Sequence, residues 1–169
     1  MTSETGDPGA ATVRRAWALD LDAPTLYALL RLRVDVFVVE QRCAYPELDG
    51  RDLDRRTVHF WTGPGEAPQA CLRLLTEPTG DRRIGRVCTT AAARGRGLVR
   101  ELTVAALDEV GDAACVLDAQ AHLTRLYGGF GFAPNGPGYD WDGAPHVPMR
   151  RAGRAPFISR FEGGRGRGT

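Results

Sequence analysis

The chain has 169 residues, 43% hydrophobic and 25% charged, which suits one globular domain with its own core rather than two. No apolar run reaches the ~18–20 residues of a membrane helix, and no basic-then-apolar leader opens the chain, so a cytoplasmic protein without a membrane partner is expected. The 22 basic residues are all arginine and face 21 acidic ones, a net charge of +1; this speaks against a general polyanion-binding surface and excludes lysine Schiff-base and P-loop chemistry.

Residues 1–12 are small, polar and Gly/Pro-bearing and predict a loose lead-in, with a first strand from Val13 to Asp20. Asp22 reads as a helix N-cap and Pro24 as a first-turn residue. Leu26, Leu29, Leu30, Arg33 and Phe37 follow helical spacing from there, while Val36–Gln41 fits either a helix end or extended chain. The stretch 45–56 is turn-rich and acidic. A calcium loop fails on register, since Gly50 as sixth residue makes Tyr45 the first and Arg56 the twelfth. A solvated loop, or an acidic rim for a cationic amine, is expected instead.

Thr57–Trp61 alternates as a strand, and Gln69–Thr76 and Arg82–Thr89 extend it into an antiparallel meander. Gly95–Val110 predicts a helix with Leu98, Leu102, Ala105 and Ala106 on one face, and Cys115–Ala119 a buried strand. Leu123, Leu126, Tyr127 and Phe130 set a second amphipathic helix over Gln120–Phe130, and His146–Arg151 closes the sheet. Residues 152–169 end in GGRGRGT and predict a mobile tail. The order of elements is that of an α/β domain with a mixed sheet over residues 13–151. Cys43, Cys71, Cys88 and Cys115 form no CxxC pair and read as free thiols in a reducing compartment.

The most informative segment is Arg94-Gly95-Arg96-Gly97-Leu98-Val99, between a strand and a helix. Helix N-termini present unpaired N–H groups, the glycines allow close approach of an anion, and the arginines add charge. This segment resembles the R/Q-x-x-G-x-G/A acetyl-coenzyme A pyrophosphate loop of the GNAT N-acetyltransferases. Leu117–Leu123 and Leu126-Tyr127-Gly128-Gly129-Phe130-Gly131-Phe132 resemble that family's late strand, helix and Y-x-x-F-G-F ending. Leu32–Gln41, Asp49-Gly50, Asp52, His59 and Asp142–Met149 resemble its ElaA-type branch, so the likeness spans about residues 15–151. Val99 departs from the pattern, which prefers Gly or Ala there.

The resemblance implies a mixed, mostly antiparallel sheet flanked by helices, with a splayed strand pair forming an acetyl-CoA cleft. It implies that the backbone of Val87, Cys88 and Thr89 lies along the pantetheine arm and that residues 94–99 take the pyrophosphate. It further implies acetyl transfer to an amine, small-molecule or peptide, by direct attack, with Tyr127 as the acid for the departing thiolate. Tyr127 also sits on the Leu123/Leu126/Phe130 stripe, where a tyrosine fits a core. Glu40, His59 and His146 are the alternatives for the base; a carboxylate or imidazole can relay the amine's proton. A homodimer is compatible with this reading. Two rival classes are a non-catalytic acyl-CoA binder, suggested by Val99, and an RNA-binding module using residues 94–97 and 163–168; near-neutral charge speaks against the second.

Overall fold

A computed structural model of the chain describes residues 11–154. Most of the expected lead-in and tail (1–10 and 155–169) lies outside the described residues. Among the described residues eight strands form one sheet: β1 (Val13–Trp17), β2 (Val58–Thr62), β3 (Ala70–Thr76), β4 (Arg82–Thr89), β5 (Cys115–Gln120), β6 (Ala133–Pro134), β7 (Tyr139–Trp141) and β8 (Ala144–Arg151). Their order is β1-β2-β3-β4-β5-β8-β6, with β7 also on β8. Every pairing is antiparallel except β4 with β5.

Helix α1 (Ala23–Arg33) starts where Asp22 Oδ1 accepts the Thr25 N–H at 2.7 Å, satisfying one of its orphan donors. It runs into a π-helical segment, Val34–Glu40, closed by the Gln41 N–H donating to the Val36 C=O at 3.0 Å. The stretch that fitted two readings is therefore a widened helix end. Helix α2 (Leu98–Val110) packs on the opposite face of the sheet.

Strand β2 is buried on both sides, because each face has its own helix. Val58 and Phe60 join Leu98, Leu102 and Ala106 of α2, whereas Trp61 joins Leu29 and Leu32 of α1. The predicted helix over Gln120–Phe130 is shorter than its periodicity: β5 runs through Gln120, a 3₁₀ turn covers Ala121–Leu123, and α3 is only Thr124–Gly128. The Gly128-Gly129 pair ends it, glycine being a poor helix former. Sequence reading also missed the β7–β8 hairpin, whose Asp142-Gly143 turn has positive φ at both residues (48° and 81°), the geometry Asp-Gly favours.

Candidate active site

Helix α2 is capped by Gly97 in the left-handed region (φ 77°), two residues after Gly95 in the same region (φ 75°). No neighbouring atom lies within 4 Å of where a side chain would start at either glycine, so backbone strain and not crowding selects glycine here. The α2 ladder begins with the Glu101 N–H on the Gly97 C=O at 3.2 Å. The N–H groups of Leu98, Val99 and Arg100 thus precede any intrahelical acceptor. They border a cavity of about 270 Å³ walled by Thr89, Arg94, Gly95, Gly97, Val99 and Leu126, among others. Unpaired donors, the positive end of a 13-residue helix and flanking arginines fit a diphosphate.

Beside this loop the sheet divides. Strands β4 and β5 pair only at Arg82–Cys115 and Arg83–Val116. At the fork, Arg83 Nη1 donates to Asp118 Oδ2 at 2.7 Å. Beyond it β4 carries a bulge, where Leu72 of β3 faces both Arg86 and Val87, and Arg86 takes φ 54°. Bulges sharpen a strand's bend, and a non-glycine residue at positive φ needs support. Arg86 has it: its guanidinium lies over the Tyr45 ring at 5.5 Å, and its Nε is 2.9 Å from Glu47 Oε2.

Alternation assigns the two sides of the fork. Leu117 and Ala119 of β5 and Met149 and Val147 of β8 pack with α2, so Asp118, Gln120 and His146 face the α1 side. There Tyr139 stacks on His146 at 5.7 Å, and Trp141 meets Tyr45 edge-on at 6.0 Å. This aromatic cluster spans the fork opposite the α2 loop, and Trp141 keeps 47% of its surface exposed.

Beneath the 45–56 loop lies a buried charge network. Arg33, 2% exposed, donates from Nε to Glu47 Oε1 and from Nη1 to Asp52 Oδ1, both at 2.5 Å. Arg73 donates to both Asp49 oxygens at 2.8 Å and to Asp52 Oδ1 at 3.0 Å. Burial pushes the Arg33 guanidinium toward its neutral form, and Asp52 with Glu47 more than reverses this. Burial pushes Asp52 upward, and Arg33 and Arg73 hold it below the ordinary range. The expectation of a solvated loop or acidic rim is corrected here: Glu47 and Asp52 are internal counter-ions. Tyr45 Oη also donates to Glu47, tying this network to the aromatic cluster.

The sequence-derived candidates scatter. Thr89, Arg94, Gly95, Gly97, Leu98 and Val99 line one cavity, whereas Arg96 turns to a separate one beside Arg14 and Gln69. Val87 packs against the α2-side core. Cys88 points the other way, 3.6 Å from the Cys71 sulfur, and that contact together with burial raises its pKa well above the ordinary thiol value. Such a thiol is not a poised nucleophile. Tyr127 is 4% exposed, edge-on to Phe132, and burial pushes its hydroxyl up to about 12. Glu40 pairs with Arg94 at 2.6 Å. His146 is half-buried, with Nδ1 2.7 Å from the Ala144 C=O, so Nδ1 carries the hydrogen and, in the neutral ring, Nε2 has the lone pair. Among the described residues no helix is long and apolar enough to cross a membrane.

His59 is 3% exposed, and its Nε2 lies 3.1 Å from the Asp52 C=O, which makes that nitrogen the donor. Burial lowers its pKa from 6.5, opposed by the Asp52 contact. The unfolded ring takes a proton that the folded ring refuses. Stability is therefore full above pH ~6.5 and falls as the pH drops below it, by up to about 1.4 kcal/mol per pH unit. Urea titrations at pH 7.5, 6.5 and 5.5 should show this slope in the native protein and its loss in His59→Gln.

The acetyltransferase (GNAT) domain family matches residues 74–152. A UPF0039 protein of Mycobacterium tuberculosis is 54% identical over 145 residues, 83% of this chain and 93% of that protein. An acyl-CoA N-acyltransferase from Pseudomonas aeruginosa has the same fold with a TM-score of 0.79 at 42% identity, covering 85% of this chain and 100% of that one. Escherichia coli ElaA is 38% identical over 78% of this chain and 90% of its own length. Its crystal structure superposes with a TM-score of 0.79, covering 84% and 99% of the two chains. A forked mixed sheet, a glycine-bounded helix start at the fork and relatives of this identity together place the chain in the GNAT acyltransferase family, alongside ElaA.

Proposed function

We propose that the protein transfers an acetyl group from acetyl-CoA to a primary amine by direct attack in a ternary complex. The observation that carries this reading is the opening of the Gly97-capped α2 N-terminus into a cavity at the fork between β4 and β5. The N–H groups of Leu98, Val99 and Arg100 and the Arg94 guanidinium would hold the diphosphate. The stretch of β4 toward Thr89, paired with β3 but left by β5, would carry the pantetheine arm. The cofactor supplies a thioester, an acyl group already activated toward an amine.

The chain's own part is binding and proton movement. The acceptor approaches from the α1 side of the fork, across the Tyr45/Trp141 cluster. His146 Nε2 takes the proton of the amine, directly or through water, because Nδ1 is held by Ala144 and fixes the tautomer. The Tyr127 O–H, protonated at any physiological pH, gives a proton to the leaving sulfur. His59, sealed in the charge network, holds the 45–56 loop instead. Free cysteines and a need for acyl-CoA both favour the cytoplasm. One observation favours a second reading, a sensor that binds acyl-CoA without turnover: the β-branched Val99 side chain forms part of the cavity wall.

A thiol-release assay with acetyl-CoA over a broad amine panel, beside calorimetry with coenzyme A, tests both. The enzyme reading expects binding and amine-dependent thiol; the sensor reading expects binding alone. Gly97→Asp puts a carboxylate against the diphosphate and a side chain at positive φ, and should weaken coenzyme A at least tenfold, about 1.4 kcal/mol. Unchanged binding would remove the loop from the site.

A further inference from the structure

Glu40 ends the π-helical segment and reaches the pyrophosphate-loop arginine: Arg94 Nη2 is 2.6 Å from Glu40 Oε1 and 2.8 Å from Oε2. The next residue, Gln41, accepts from Gln120 Nε2 at 3.5 Å. Consecutive side chains at the end of one helix thus touch both banks of the fork, the loop after β4 and the last residue of β5. The Arg94–Glu40 pair is about half exposed, with relative side-chain exposures of 47% and 45%, so its members can part at little cost. The guanidinium is also close to the Thr89 C=O, at 3.5 Å, where β4 ends.

We infer that Arg94 exchanges partners, Glu40 in the free protein for the diphosphate in the complex, so that Glu40 is a built-in competitor that tempers cofactor affinity and speeds coenzyme A release. This rests on the proposed cofactor site. A diphosphate outbids a single carboxylate for a guanidinium, because it brings more charge and a better match to the fork of N–H donors. When the product nucleotide loosens, Glu40 is adjacent to reclaim Arg94, which disfavours rebinding. A carboxylate beside a diphosphate site otherwise has no benefit for binding, since like charges repel there.

The test is a double-mutant cycle on coenzyme A binding, with calorimetry for Kd and stopped-flow displacement for the dissociation rate. Glu40→Gln should tighten coenzyme A about two- to fivefold, the span of an exposed ion pair, with most of the change in a slower dissociation rate. Arg94→Gln should weaken it about tenfold or more, as loss of a charge-assisted contact does. In the Arg94→Gln background, Glu40→Gln should give a clearly smaller gain, only the part that like-charge repulsion accounts for. An unchanged or weaker Kd in Glu40→Gln overturns the exchange. So does an equal gain in both backgrounds, which would make Glu40 a source of general repulsion only. A native protein that binds no coenzyme A at all removes the cofactor site itself, and this inference with it.

Discussion

Arg33→Met lowers the unfolding free energy by about 3–5 kcal/mol, the cost of leaving buried charges without their partner. Against a typical domain stability of about 5–15 kcal/mol this is a large share, visible as a shifted urea midpoint at unchanged slope. The mechanism is specific. Arg33 lies on the apolar face of α1, and four of its hydrogen bonds end on Glu47 and Asp52. Removing it leaves the buried Glu47 carboxylate with only Arg86 and Tyr45, and Asp52 with only Arg73. Adding Glu47→Gln to the same chain should therefore restore part of the loss, because Asp49 and Asp52 are then matched by Arg73 and Arg86 and the network carries no net charge. A loss under about 1 kcal/mol for Arg33→Met would mean that water reaches the network and screens it.

The same network bears on the site. Glu47 faces Arg33 on one side and Tyr45 and Arg86 on the other, so it links the inside of the α1 layer to the β4 bulge and the aromatic cluster. Loosening it should impair the acceptor side of the fork more than the α2 loop. In Arg33→Met under folding conditions, KM for an amine should rise while coenzyme A affinity is nearly kept.

Local chemistry explains what could be read beforehand. The α2 loop was legible because its requirement is local: two glycines, two arginines and a helix start within six residues. The meander was legible from period-two alternation and short turns. The charge network was not, because its partners stand 14 to 24 residues apart or more and only the fold brings Glu47, Asp49 and Asp52 under α1. One clue existed: Arg33 occupied the apolar spacing set by Leu26, Leu29 and Leu30, where a charge must find buried partners. The acidic run 45–56 was the densest nearby supply. The π-helical end of α1 carried no such clue, since a run of valines suits several backbones equally. Nor did the split of roles between His59 and His146. Each stands on a strand face opposite α2, but the 45–56 loop covers β2 and leaves β8 half open.

Tyr127→Phe should lower kcat by about 10²- to 10⁴-fold, the usual worth of a general acid, while Kd for coenzyme A stays within about twofold. The structure isolates the hydroxyl unusually well. Its ring is edge-on to Phe132 with centroids 6.2 Å apart, a contact phenylalanine reproduces. The Tyr127 O–H makes no hydrogen bond among the described residues, and burial is the one influence on its pKa. Deleting it strands nothing, and the thermal midpoint should hardly move. Burial alone pushes this phenol up to about 12, so it stays a proton donor through the alkaline range. A thiolate leaving at an ordinary thiol value near ~8.5 is a weaker base than this phenolate, so full transfer is uphill, and most of the help comes from a hydrogen bond that strengthens as charge gathers on sulfur. The native enzyme should therefore show no alkaline fall in kcat from Tyr127 below about pH 10. If Tyr127→Phe turned over at the native rate, the residue would be a core aromatic, and water would be the donor to sulfur.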